Sequence, residues 1–119
     1  MNWKLYLDDI RTPADATFII ARTVADAQEL IRTCGVPVFI SFDHDLGIDD
    51  KGNLLPTGYD LAKWLVEMDM EGVIILPDSF DFKVHSQNPV GAKNIREYLI
   101  NYLSYKIKDD AKVSNVFNA

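Results

Sequence analysis

Short apolar runs alternate with polar, glycine- and proline-bearing breaks along this chain, and several of the runs end in a charged or imidazole side chain. The fullest run is Val38 to Phe42, bounded by Gly35-Val36-Pro37 before it and by Asp43-His44-Asp45-Leu46-Gly47 after it. A run of that length and β-branched or aromatic character predicts a central parallel strand covered on both faces. Trp3 to Leu7 predicts a strand that stops at Asp8-Asp9, and Thr17 to Ala21 predicts a second. Phe80-Asp81-Phe82-Lys83-Val84 alternates aromatic and polar residues as a strand does, and it runs into His85-Ser86.

Between the strands the period lengthens to that of a helix. Thr23-Val24-Ala25-Asp26 has the form of a capping box, Val24, Ala27, Leu30 and Ile31 give an apolar face, and Gly35 supplies the stop. Leu61, Leu65 and Met68, flanked by Trp64, form the core stripe of a helix beginning at Thr57-Gly58-Tyr59-Asp60. Asn88 followed by Pro89 marks a third helix start, with Ile95, Leu99, Tyr102 and Leu103 on its buried side. Residues 46 to 57 are rich in Gly, Asp, Asn and Pro and read either as an ordinary surface loop or as an excursion able to act as a lid. Gly72 to Pro77 fits an extra strand or a buried connection, and the polar tail from Asp109 fits a frayed end or an edge strand over Val113 to Phe117.

Composition narrows the function classes. A chain of 119 residues is expected to form one domain spanning residues 1 to 119. With 12 basic against 18 acidic residues the formal charge is −6, which argues against non-specific DNA binding, because such binding rests on Lys and Arg neutralising phosphates. A nucleotide or an RNA end is still admissible where a metal ion offsets the acids. The single cysteine, Cys34, excludes an internal disulfide and a CxxC zinc site, and its place near a helix end predicts a small buried hydrophobe. No run is long enough to span a bilayer and no basic-then-apolar leader opens the chain, so a soluble, cytoplasmic protein without membrane partners is expected.

The candidate chemistry sits at the strand ends, where ligands bind in open α/β sheets. Asp8 and Asp9 repel one another unless solvated or sharing a cation, and Asp43 offers a second acidic strand end. The Asp43-His44-Asp45 run is not an EF-hand, since Gly47 stands where a third ligand belongs and no closing glutamate follows at the required spacing. His44 and His85 are candidate general acids or bases, and strand alternation turns His44 away from Asp43, which favours His85. The helix start after Ser86 offers backbone N–H groups to an anion. Arg22, between a strand and a helix, reads as a solvated arginine or a ligand contact.

Taken in order, LYLDDIRTP (Leu5 to Pro13), SFDHDLG (Ser41 to Gly47), TGYDLAKWL (Thr57 to Leu65) and HSQNPVG (His85 to Gly91) resemble the receiver domains of two-component signalling. The likeness is nearer to a divergent, mostly phage and bacterial branch, the cyclic-phosphate processing receiver-like domains. That resemblance implies an α/β fold of the receiver-like, flavodoxin-like type, a three-layer sandwich with a reduced, mainly parallel sheet of about four strands. It also implies a metal site at Asp8, Asp9 and Asp43, a phosphate contact at Ser86, and Asp43 at the position of the phospho-acceptor of ordinary receivers. Asn88 and Arg11 are further candidate phosphate contacts. Two departures stand out: no strand ending in a lysine follows Ser86, and His44 and His85 lie beside the acids. The implied function is a metal-dependent phosphoesterase, with Mg²⁺ as the leading cofactor and Mn²⁺ if a histidine coordinates, acting on a cyclic or terminal phosphate of a nucleotide or RNA end. The alternatives are a non-catalytic module holding a phosphate-bearing ligand or protein partner, and a signalling receiver phosphorylated on Asp43.

Overall fold

The computed structural model describes residues 2 to 118, with side chains described through residue 107. Strands β1 (Lys4–Leu7), β2 (Phe18–Ala21), β3 (Phe39–Phe42) and β4 (Asp81–Val84) and helices α1 (Val24–Cys34), α2 (Gly58–Met70) and α3 (Pro89–Asn118) occur in the order β1-β2-α1-β3-α2-β4-α3. The four strands form one all-parallel sheet in the order β2-β1-β3-β4. This is the α/β, receiver-like architecture that the sequence predicts.

Strand register sets which side chains share a face and where the strands stop. Leu7 stands opposite both Ala21 and Phe42, and Phe42 stands opposite Val84, so all four strands end in one row. Leu5, Leu7, Ala21, Ile40, Phe42, Phe82 and Val84 share one face by strand alternation, and the apolar sides of all three helices pack there: Val24, Ala27 and Ile31 from α1, Leu61, Leu65 and Val66 from α2, Ile95 and Leu99 from α3. Right-handed crossovers from β2 to β3 and from β3 to β4 run in the same direction across the sheet, so α1 and α2 fall on one side, and α3 packs against α2. The opposite face carries Lys4, Tyr6, Phe18, Phe39 and Ser41, with the Phe18 ring edge-on to both Tyr6 and Phe39. The helical layer is thus single among the described residues, where the apolar run predicts β3 covered on both faces and the resemblance implies three layers. The chain passes from β1 to β2 through a loop, with no crossover helix to cover that side.

Other expectations resolve locally. Thr57 and Asp60 form a full reciprocal capping box at α2, whereas Thr23 accepts the Asp26 N–H in a one-way cap. Residues 72 to 77 are a connection, tied back by Leu76 N–H donating to Asp69 at 2.9 Å. Residues 109 to 118 continue the α3 backbone instead of adding an edge strand at Val113 to Phe117. Cys34 is exposed, on the solvent side of the last turn of α1, and not the buried hydrophobe expected. Among the described residues no helix is long and apolar enough to cross a membrane.

Candidate functional site

One residue beyond each strand end stands a polar side chain: Asp8 after β1, Arg22 after β2, Asp43 after β3 and His85 after β4. Three of these backbones are held as extensions of the ladder. Asp8 N–H donates to Ala21 O at 3.1 Å, Asp43 N–H to Leu7 O at 2.8 Å and His85 N–H to Phe42 O at 2.9 Å. Since the strands are in register, these residues share the pleat of Tyr6 and Ser41, and their side chains converge. One ligand atom from each of Asp8, Asp43 and His85 lies within 4.8 Å of the others.

The surroundings of the two acids differ. Asp8 is 0 % exposed, and its carboxylate is held by three hydrogen-bond donors and an ion pair to Arg11. Oδ1 takes the backbone N–H groups of Ile10 (3.0 Å) and Arg11 (2.7 Å), Oδ2 takes His85 Nε2–H (2.9 Å), and the Arg11 guanidinium forms an ion pair with Oδ2, Nε at 3.2 Å. Burial by itself would raise its pKa, but the backbone donors, His85 and the Arg11 charge together lower it. Asp43 is 5 % exposed, and there burial prevails: despite the His44 N–H bonded to Oδ1 at 2.8 Å and the Ser86 hydroxyl, its pKa is raised, with the Asp8 charge adding to the effect. Arg11 approaches Asp43 Oδ2 at 3.8 Å, an ion pair too long for a hydrogen bond.

His85 is positioned on three sides. Its ring stacks on Tyr6 with centroids 4.4 Å apart and planes 5° from parallel, Nδ1 meets Ser41 Oγ at 2.7 Å, and Nε2 meets Asp8. With Ser41 donating to Nδ1 and Nε2–H donating to Asp8, every polar atom of the group is satisfied by the neutral imidazole. Burial lowers the His85 pKa, against the pull of Asp8, which favours that neutral form. Tyr6 and Ser41 are site residues that the sequence pattern alone does not single out. A signal for them is present, because each lies two positions before an acid at a strand end and so on the same face.

Beside this group opens a cleft of about 300 Å³ lined by Asp9, Ile10, Arg11, Asp43, Asp45, Ser86, Gln87 and Asn88. Asp9 lines the cleft but stands outside the Asp8, Asp43 and His85 group. Ser86 Oγ accepts the Asn88 N–H at 3.0 Å and lies against Asp43. Asn88 caps α3, its Oδ1 accepting Gly91 N–H at 3.0 Å and its carbonyl accepting Ala92 N–H, so donors expected to meet an anion are taken by the helix's own cap. The Asn88 amide N–H group reaches Asp45 at 3.3 Å. His44 turns away from the acid group as strand alternation predicts. Its Nδ1 meets Asp45 at 2.8 Å, which lowers the Asp45 pKa, and its ring fills the space beside Gly91, where a Cβ would come within 2.3 Å of the imidazole. The structure therefore brings together Asp8, Asp43, His85 and Arg11, with Asp9, Ser86 and Asn88 on the adjoining cleft, and leaves His44 as a brace between β3 and α3.

Arg22 is neither solvated nor directed at the cleft. Its guanidinium donates to the Asp8 carbonyl (3.1 Å), the Arg11 carbonyl (2.6 Å) and Thr12 Oγ1 (3.4 Å), which fixes the β1 exit loop. Gly58 closes the other side: its N–H donates to His44 O at 2.8 Å, and a Cβ there would lie 1.9 Å from the Asp43 carbonyl oxygen. Only glycine lets α2 begin this close to the acidic strand end. A family model for the cyclic-phosphate processing receiver domain matches residues 3–101. No curated protein and no solved structure matches the chain.

Proposed function

The chain belongs to the cyclic-phosphate processing receiver domains, and from that premise we propose that it is a metal-dependent phosphoesterase acting on a cyclic or terminal phosphate of a nucleotide or RNA end. The observation that carries this reading is the convergence of Asp8, Asp43 and His85 at the edge of a cleft that also holds Arg11 and Ser86. Two carboxylates and an imidazole suit a divalent ion, and the mixed oxygen and nitrogen set shifts the preference from Mg²⁺ toward Mn²⁺. Asp8, Asp43 and His85 would hold it, with Asp9 at the cleft wall. Such an ion, when bound, polarises a phosphoryl oxygen or acidifies water, and its charge offsets the acids.

The chain's own groups do the rest. Three carboxylates and one guanidinium line the cleft, so an anionic substrate is repelled by the side chains alone and needs the added positive charge. Asp43 has a raised pKa while Asp8 has a lowered one. That divergence makes Asp43 the acid that gains most from an added positive charge, which would hold it ionised, and Asp8 an anion already held by its own donors. Ser86 and Arg11 orient the phosphate. His85 holds Asp8 in place through Nε2–H in the metal-free chain, and would coordinate an ion only in the tautomer in which Nδ1–H donates to Ser41 Oγ and Nε2 is unprotonated.

The non-catalytic binding module is the second reading, favoured by one observation: Asp8 already accepts three hydrogen bonds and pairs with Arg11, all from groups of this chain alone. The phospho-accepting reading has less support, as β4 is the last strand among the described residues and no fifth strand presents a lysine. The test is incubation with 2′,3′-cyclic nucleotides and Mg²⁺ or Mn²⁺, with a chelator control. Turnover that falls by about a hundredfold or more in Asp43→Ala supports the enzyme. Binding without turnover supports the module, and stable labelling by acetyl phosphate at Asp43 supports the signalling domain.

A further inference from the structure

A carboxylate has about four acceptor positions; three of those of Asp8 accept hydrogen bonds, and the remaining side faces the Arg11 guanidinium as an ion pair. The two on Oδ1 belong to backbone N–H groups of Ile10 and Arg11, in a loop whose main chain Arg22 clamps at the carbonyls of Asp8 and Arg11. Oδ2 takes the His85 N–H and faces the Arg11 guanidinium as an ion pair at 3.2 Å. His85 is pinned by Ser41 and by the Tyr6 ring. The Arg11 side chain is 39 % exposed, and besides the two acids it reaches only the His85 carbonyl, at 3.2 Å, among the described hydrogen bonds. An incoming cation that uses Asp8 Oδ2 therefore meets three hydrogen-bond donors that the fold holds rigidly and one ion-pair partner, the guanidinium, which can swing toward solvent by giving up a single hydrogen bond to the His85 carbonyl while its backbone stays clamped. The same guanidinium is also a positive charge close to Asp43, at 3.8 Å.

We propose that Arg11 is a resident counter-cation, which a divalent ion displaces from Asp8 and Asp43, and that the displaced guanidinium then binds the phosphate in the adjoining cleft. The proposal rests on the phosphoesterase reading in that it places a divalent ion at these acids. It goes further in making binding ordered. The ion and Arg11 compete for one pair of carboxylates, and the phosphate gains Arg11 only after the ion has taken its place. Arg11 is suited to both positions, because its planar fork pairs equally well with a carboxylate and with a phosphate. Lysine lacks that fork.

The test is calorimetric titration of Mn²⁺ into the wild-type chain and into Arg11→Gln, followed by titration of inorganic phosphate into each protein saturated with Mn²⁺. Arg11→Gln is expected to bind Mn²⁺ about tenfold more tightly, since it loses the competitor, and phosphate about tenfold more weakly. Arg11→Lys falls between the two in Mn²⁺ affinity and takes the place of Arg11→Gln if that variant fails to fold. Equal or weaker Mn²⁺ binding by the variants overturns the counter-cation role, and unchanged phosphate binding overturns the second position. If neither wild type nor variant binds Mn²⁺, the divalent-ion reading itself falls and takes this proposal with it. If both bind Mn²⁺ alike, only the Arg11 proposal falls.

Discussion

Two buried carboxylates less than 5 Å from a shared imidazole have opposite consequences for stability. Asp8 is held by three hydrogen bonds and the Arg11 ion pair, and its removal leaves Arg11 and His85 without their partner. Asp8→Ala is expected to cost about 3–5 kcal/mol in urea unfolding. Asp43 is raised in pKa by burial and by the Asp8 charge. A group with a raised native pKa contributes stability that is present below its ordinary pKa and is lost as the pH rises through the native value. Ionised Asp43 is therefore a burden near neutral pH, and Asp43→Asn is expected to melt a few degrees higher than wild type, with the gain shrinking as the pH is lowered. A lower Tm for Asp43→Asn near neutral pH would contradict this. Asp8 has the other sign: its native pKa is depressed, so its contribution is complete above the ordinary carboxylate pKa and is lost as the pH falls through the depressed value. Acid unfolding should accordingly begin at higher pH in a chain whose Arg11 is neutralised, because Arg11 helps to depress that pKa.

At the scale of elements, the joints between strand and helix decide the site. Gly58 is where α2 meets Asp43, and the contact is with backbone, which cannot rotate away. Gly58→Ala is expected to destabilise the chain by about 3 kcal/mol or more in urea unfolding, and a neutral result would mean that α2 does not start against the acid. A second joint ties the far end of α2 to α3. Asp69 accepts from Leu76 N–H, from the Tyr102 hydroxyl and from Lys106 at 3.0 Å, which anchors residues 72 to 77 without a strand. Tyr102→Phe should cost about 1–2 kcal/mol by the same measurement. These joints mark the limit of what the sequence discloses. Strand and helix positions are legible from period and caps, and Asp8, Asp43, His85 and Ser86 from their places after apolar runs. Arg22 as a clamp is not, because a long side chain can reach several loops from one position. Nor is the place of His44 beside Gly91, since that fit depends on how α3 crosses β3. Thr23 and Thr57 carry the same Thr-x-x-Asp pattern, yet only Thr57 forms the two-way box, because Asp60 reaches back to the Thr57 N–H at 2.8 Å.

At the scale of the molecule, an all-parallel sheet in strict register places the four strand ends in one row, and the pleat then turns Asp8, Asp43 and His85 toward a common point. The sheet has helices on one face only among the described residues, and the aromatic row of Tyr6, Phe18 and Phe39 lies on the other, with Tyr6 carrying His85. The site is thus built on the less covered side of the sheet, with its acids still buried by the β1 exit loop that Arg22 clamps. A net charge of −6 makes any unaided grip on a phosphate unfavourable for the chain as a whole, and the cleft repeats that balance locally. Under the proposed function, phosphate chemistry at these strand ends calls for added positive charge, which a divalent ion held by Asp8 and Asp43 would supply. The most direct measurement is the electron paramagnetic resonance titration of Mn²⁺ against the wild-type chain and Asp43→Asn near neutral pH. One bound ion per wild-type chain is expected, with that binding lost in the variant. No bound Mn²⁺ in the wild type, or the same affinity in both, would contradict a metal centre at Asp8, Asp43 and His85.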